Sequence, residues 1–192
     1  MKLNLPNKLT LLRIVLVPVF MVTMLAIPDD MISRLVSFAV FVVTSLTDML
    51  DGKIARKYNL ITNFGKFMDP LADKFMVFGA MIAILVRYTY LTPVFVWAAS
   101  IVMFRELAVT SIRLVAAGQE QLVIAASWLG KVKTVSQVVC ICAVILEPCI
   151  PFALFDQYHV ISYVTTAFMI VMTLWSGIDY LKTYWKFIKP TE

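Results

Sequence analysis

Residues 47–74 read TDMLDGKIARKYNLITNFGKFMDPLADK, and this stretch decides the fold because it sets four aspartates inside an otherwise apolar chain. Asp48 and Asp51 are three apart, and Asp69 and Asp73 are four apart. On a helix, either spacing stacks two side chains a turn from each other on one face. Residues 58–63, between the pairs, carry little helical signal, and Thr62 or Asn63 is placed to cap a following helix. The expected unit is a helical hairpin with two carboxylates on each arm. If the arms pack together, four carboxylates converge on one small volume.

Four carboxylates cannot share such a volume as bare anions, because like charges at close range repel strongly in low dielectric. They protonate, disperse into water or bind cations. Hard divalent ions such as magnesium or manganese take oxygen ligands of this kind, and two of them can clamp an in-line displacement at phosphorus. Gly52, Ala55 and Gly65 lie close to the aspartates along the helices, where missing bulk lets a ligand or a facing backbone approach. Arg56 adds a forked cation suited to a phosphate. Ionisable residues at membrane depth are costly, so a cluster of them signals function.

The membrane setting follows from composition. Of 192 residues, 61% are hydrophobic and only 15% charged, well away from the balance of a soluble domain. The length suits one membrane domain, residues 1–192. A net charge of +5 suits anionic lipid headgroups or anionic substrates. Nucleic acid is excluded as a partner, since the basic residues flank apolar spans rather than forming a solvated basic face. Cys140, Cys142 and Cys149 have neither disulfide-framework nor metal-ligand spacing and read as small apolar residues. The first apolar run follows Lys2 and Lys8 without a small-residue cleavage site, so it is expected to stay as an anchor.

The expected fold is all-α and polytopic, with six transmembrane helices near residues 11–27, 32–56, 66–88, 92–116, 128–146 and 155–180, each close to the length a bilayer crossing needs. An amphipathic N-terminal segment, KLNLPNKLTLLR, is expected to lie along the interface. Pro70 falls in the early turns of the third helix, where it removes a backbone donor. Fifteen of the seventeen Lys and Arg residues fall toward one face, and only Arg34 and Arg87 toward the other. By the positive-inside rule both termini and the aspartate hairpin face the cytoplasm.

Written as a pattern, residues 48–73 are D-x2-D-G-x2-A-R-x8-G-x3-D-x3-D, which resembles the CDP-alcohol phosphatidyltransferase signature at every fixed position. Three further stretches look like the family's bacterial members that form phosphatidylglycerophosphate: LPNKLTLLR, Arg105-Glu106 through Thr110 to Arg113, and Gly130 to Thr134. The resemblance implies that Asp48, Asp51, Asp69 and Asp73 bind metal and that Asp73 is also the general base. It implies a pair of Mg2+ or Mn2+ ions, and it sets Gly52, Ala55, Arg56 and Gly65 along the nucleotide of CDP-diacylglycerol. The implied reaction is a single displacement in which the 1-hydroxyl of glycerol 3-phosphate attacks the lipid-bearing phosphorus and CMP leaves. A homodimer in the cytoplasmic (inner) membrane, in contact with membrane lipid, is implied as well.

A dianionic acceptor needs cations of its own, and Arg105, Arg113, Lys131 and Lys133 are the candidates. Arg105 and Arg113 are two turns apart on roughly one face. Lys131 and Lys133 would diverge on a regular helix, so one of the two is expected to face the site, while membrane-end anchoring explains either lysine equally well. Glu106, adjacent to Arg105, is expected to point elsewhere. Asn7 and Thr10 are candidate nucleotide contacts, with helix capping as the alternative. Other acceptors, an inositol phosphate or phosphatidylglycerol for cardiolipin, stay open within the family. An intramembrane prenyltransferase or a divalent-cation channel would also use acidic residues, but neither accounts for the D-G-x2-A-R element.

Overall fold

A computed structural model describes residues 4–58, 60, 62–120, 128–150 and 158–188, with backbone alone at 56, 116–120 and 186–188. Among these residues the regular structure is entirely helical. It comprises α1 (Leu5–Leu25), α2 (Met31–Lys57), α3 (Asn63–Arg87), α4 (Thr92–Glu120), α5 (Trp128–Leu146), a 3-10 turn (Glu147–Cys149) and α6 (Val160–Ile188).

Local chemistry explains where the first three helices begin. The Asn4 side chain accepts from the Asn7 amide at 3.1 Å, with a proline in the first turn of α1. Asp30 and Ser33 form a reciprocal capping box at the start of α2. Thr62, one of the two expected caps, takes the Gly65 amide at 3.0 Å and starts α3. The start of α6 is held from a distance. Glu147 accepts the Ile161 and Ser162 amides at 2.7 and 2.8 Å and also binds the Ser162 hydroxyl, placing a carboxylate against free N–H groups at the positive helix end.

From Leu5 the N-terminal segment forms the first turns of α1 without a break; residues 1–3 lie outside the described part. Among the described residues, five helices, α1, α2, α4, α5 and α6, are long and apolar enough to cross a membrane by length and composition, where six crossings are expected from sequence. The exception is α3, which carries Asp69, Asp73 and Lys74 within its first half. Its face of Ala72, Ala80, Met81, Ala83 and Ile84 is nonetheless fully buried among α1, α2, α4 and α5. Its partners in the core include Phe20, Phe41, Phe95, Ile141 and Met169, while Val15, Ile32, Trp97, Phe104 and Val164 point outward. Apolar surface outside and a packed, partly polar interior describe a membrane protein.

The charges toward the opposite end tie the α1–α2 and α3–α4 connections together. Asp29 accepts from Arg34 at 2.8 Å and Arg87 at 2.9 Å, and Arg87 also reaches the Ile27 carbonyl at 2.8 Å. Arg34 and Arg87 are thus held by one acid. At the aspartate end, α2 and α3 form the expected hairpin, but its arms barely touch. α1 packs extensively against both and lies between them. Two acidic faces repel at contact distance, so a third helix that brings a cation is the lower-energy arrangement.

Candidate active site

That cation is Arg13 of α1. Its side chain is fully buried (0% exposed), with Nη1 2.5 Å from Asp48 Oδ1 and Nη2 paired with Asp51 Oδ2. The fork takes one oxygen from each carboxylate of the i,i+3 pair, a geometry that guanidinium matches and ammonium does not. One turn earlier, the Thr10 hydroxyl donates to Asp69 Oδ1 at 2.7 Å. Asp48 lies within electrostatic range of both Asp69 and Asp73. The four aspartates are therefore near one another, but three of them are held through α1.

Asp69 faces a cleft of about 330 Å³ lined by Asn7, Gly52, Ala55, Gly65 and Lys66. The structure thus brings Gly52, Ala55, Gly65 and Asp69 together as the sequence suggested. Gly65 sits at a close approach: a Cβ there would lie 3.1 Å from Asn7 Oδ1 and 3.3 Å from Thr62 Oγ1, so those side chains would have to give way. The Arg56 side chain lies outside the described residues. Asn7 lines this cleft and accepts from the Thr62 hydroxyl at 3.1 Å, whereas Thr10 is buried against Asp69. Neither residue caps α1, since Asn4 does.

Asp73, one turn beyond Asp69, lines a different cavity of about 410 Å³ with Lys74, Arg105, Arg113, Lys131 and Lys133. The four proposed acceptor cations do share a space, but not equivalently. Lys133, 6% exposed, and Arg105 converge on Glu106 Oε1, with Arg105 Nη1 at 3.2 Å. Arg105 also donates to Ser176 at 2.6 Å. Glu106 therefore does not point elsewhere, because its side chain turns back to Arg105 and across to α5. In a low-dielectric interior, one carboxylate held between two cations relieves the cost of burying all three. Arg113 donates to the Tyr180 hydroxyl at 2.7 Å and stacks over its ring. Lys131, exposed at the rim, shares the cavity with the buried Lys133, so both lysines line it rather than one.

Arg13 and Lys74 are site residues to which sequence reasoning assigns no role; Thr110 enters there only as part of a family-like stretch, and Glu106 is expected to point elsewhere. Lys74 donates to the Thr110 hydroxyl at 2.6 Å and so sits beside Asp73 in the cavity wall. The available signal for Arg13 was its i,i+3 spacing from Thr10 on a helix with few charges.

Whether the donors suit divalent ions can be judged from their chemistry. All four are hard carboxylate oxygens, and the space between Asp48 and Asp51 already holds positive charge in the form of Arg13. Among the described residues, no group of three or more His, Cys, Asp or Glu side chains is gathered tightly enough to hold an ion as placed. The donor type fits such a cation.

Comparison with known proteins identifies the family. Residues 3–175 match the CDP-alcohol phosphatidyltransferase family. A Bacillus subtilis (strain 168) protein named CDP-diacylglycerol–glycerol-3-phosphate 3-phosphatidyltransferase is 42% identical, over 98% of this chain and 99% of its own. A Mycobacterium tuberculosis (strain CDC 1551 / Oshkosh) protein named probable phosphatidylglycerophosphate synthase is 37% identical over 93% and 80%. A Salmonella choleraesuis (strain SC-B67) protein with the first of these names is 36% identical over 94% of both chains. A match across nearly the whole membrane region, aspartates included, means that this chain belongs to the CDP-alcohol phosphatidyltransferase family.

Proposed function

We propose that this protein transfers the phosphatidyl group of CDP-diacylglycerol to glycerol 3-phosphate, giving phosphatidylglycerophosphate and CMP. The observation that carries this reading is the division of labour along α3. Asp69 faces the small-residue cleft and Asp73, a turn away, faces the cation-lined cavity. A single displacement needs two substrates to meet from different sides at one acidic strip. The names of the aligned relatives support the same donor and acceptor.

In this mechanism Gly52, Ala55 and Gly65 admit the cytidine nucleotide, and Arg56 pairs with its phosphates. Arg113 and Lys131, with Arg105 and Lys133 behind them, hold the acceptor's phosphate and orient its 1-hydroxyl toward Asp73. Asp73 takes the hydroxyl proton, the oxygen forms a bond to the lipid-bearing phosphorus, and the bond from that phosphorus to the CMP oxygen breaks. Divalent metal dependence is general in this family. Asp48, Asp51 and Asp69, with Asp73, would hold Mg2+ or Mn2+, which supplies charge neutralisation for two anionic reactants and for departing CMP.

The protein is further read as a single domain and a homodimer in the cytoplasmic membrane, with α3 as a sixth crossing and the termini and site on the cytoplasmic side. The concentration of basic residues toward the aspartate end supports that orientation. Purified protein incubated with CDP-diacylglycerol and a panel of acceptors, with and without chelator, tests the reaction. CMP release is expected with glycerol 3-phosphate and abolished by chelator. Release with inositol phosphate or phosphatidylglycerol, and none with glycerol 3-phosphate, would overturn the acceptor assignment.

A further inference from the structure

We propose that α1 is the positioning arm of the aspartate site, with Thr10 orienting Asp69 and Arg13 holding Asp48 and Asp51. This rests on the reading that those aspartates bind divalent cations. Three observations point to it. Thr10 and Arg13 are one turn apart on α1, and both are buried, at 1% and 0% exposed. Neither side chain can therefore serve as a substrate contact, and Thr10 is absent from the walls of the cleft that Asn7 lines. Finally, α2 and α3 scarcely touch each other, so the separation between Asp51 and Asp69 is set through the helix that packs against both.

The Thr10 hydroxyl has one hydrogen to give. Two oxygens compete for it, Asp69 Oδ1 at 2.7 Å and the Pro6 carbonyl at 3.1 Å. The shorter, charge-assisted bond prevails and locks the Asp69 rotamer, leaving Oδ2 on the side of Gly65, whose Cβ position lies 3.6 Å away. Arg13 does the equivalent for two carboxylates at once. Such outer contacts decide how well carboxylates are presented to a cation, although they never touch it.

The test is Mn2+ binding to purified full-length protein in detergent, without lipid substrate, read from the electron paramagnetic resonance signal of the free ion. Thr10→Val is nearly isosteric and changes no charge. It is expected to raise the Mn2+ Kd by roughly 10–100-fold, the usual effect of losing an outer-shell partner. Thr10→Ser should restore wild-type affinity, which a packing defect would not allow. Arg13→Lys keeps the charge, so it does not tighten cation binding merely by removing repulsion, but it loses the fork and should also weaken Mn2+. Should Thr10→Val fail to fold by thermal unfolding in chelator, Arg13→Lys decides. Wild-type Mn2+ affinity in a folded Thr10→Val protein would overturn the inference, as would unchanged Mn2+ affinity with weakened CMP binding. If the wild type itself binds no Mn2+, the cation reading fails and this inference with it.

Discussion

Replacing Glu106 with glutamine probes a buried ion-pair cluster that links α4 to α5. The carboxylate is 15% exposed and lies between Lys133, at 6%, and Arg105, at 10%. Glutamine keeps the shape and one acceptor but removes the charge. Arg105 retains Ser176, so the main consequence is a buried Lys133 ammonium that loses its paired carboxylate and keeps only Asp73 across the cavity. Breaking a buried pair in this way costs about 3–5 kcal/mol, and the lower end applies here because the neighbouring cavity admits water. For a chain of this size a loss of about 3 kcal/mol lowers the unfolding midpoint by roughly 6–12 °C. Thermal unfolding in detergent, followed by circular dichroism, measures it. The double variant Glu106→Gln/Lys133→Met removes the stranded charge as well and should recover much of the loss. A Glu106→Gln midpoint within about 2 °C of wild type, or a double variant no better than the sum of its parts, would refute the reasoning.

Asp73→Asn should abolish turnover while leaving CDP-diacylglycerol binding largely intact; residual activity above roughly a hundredth of wild type would remove its assignment as base. Gly65→Val should close the cleft, since even a Cβ meets Asn7 Oδ1 at 3.1 Å. CMP affinity is expected to fall by at least about tenfold with the midpoint little changed, and unchanged affinity would place the nucleotide elsewhere. At the opposite end, the hydrogen bond from Arg34 holds the Asp29 carboxyl below its ordinary value against the effect of burial, with Arg87 adding to it. A depressed folded-state pKa means stability that is present above the unfolded value, about 3.9, and lost as pH falls through the folded one. Asp29→Asn should therefore lower the midpoint at neutral pH and flatten its acid dependence; a parallel offset at every pH would contradict this.

Spacing along one helix is legible in a sequence because i,i+3 and i,i+4 neighbours share a face whatever the rest of the chain does. Hence the stacked aspartate pairs, the Thr62 cap, the small residues of the cleft and the membrane character were all readable from residues 47–74 and the composition. The pairing of Arg105 with Arg113 along α4 belongs to the same class. The division of the crossings was less legible, because Asp69, Asp73 and Lys74 give α3 a polar half that only burial among other helices accommodates.

What the tertiary structure decided are contacts between residues far apart in the chain: Thr10 with Asp69 across 59 positions, Arg13 with Asp51 across 38, and Lys133 with Glu106 across 27. No periodicity encodes these. They arise because charges buried in low dielectric must find partners, and the partner within reach is set by which helices pack side by side. The sequence alone determined that acids would gather at one end of the bundle. Only the packing of α1 between α2 and α3 determined which groups neutralise them, and only the walls around α3 determined that Asp69 and Asp73 open onto different cavities.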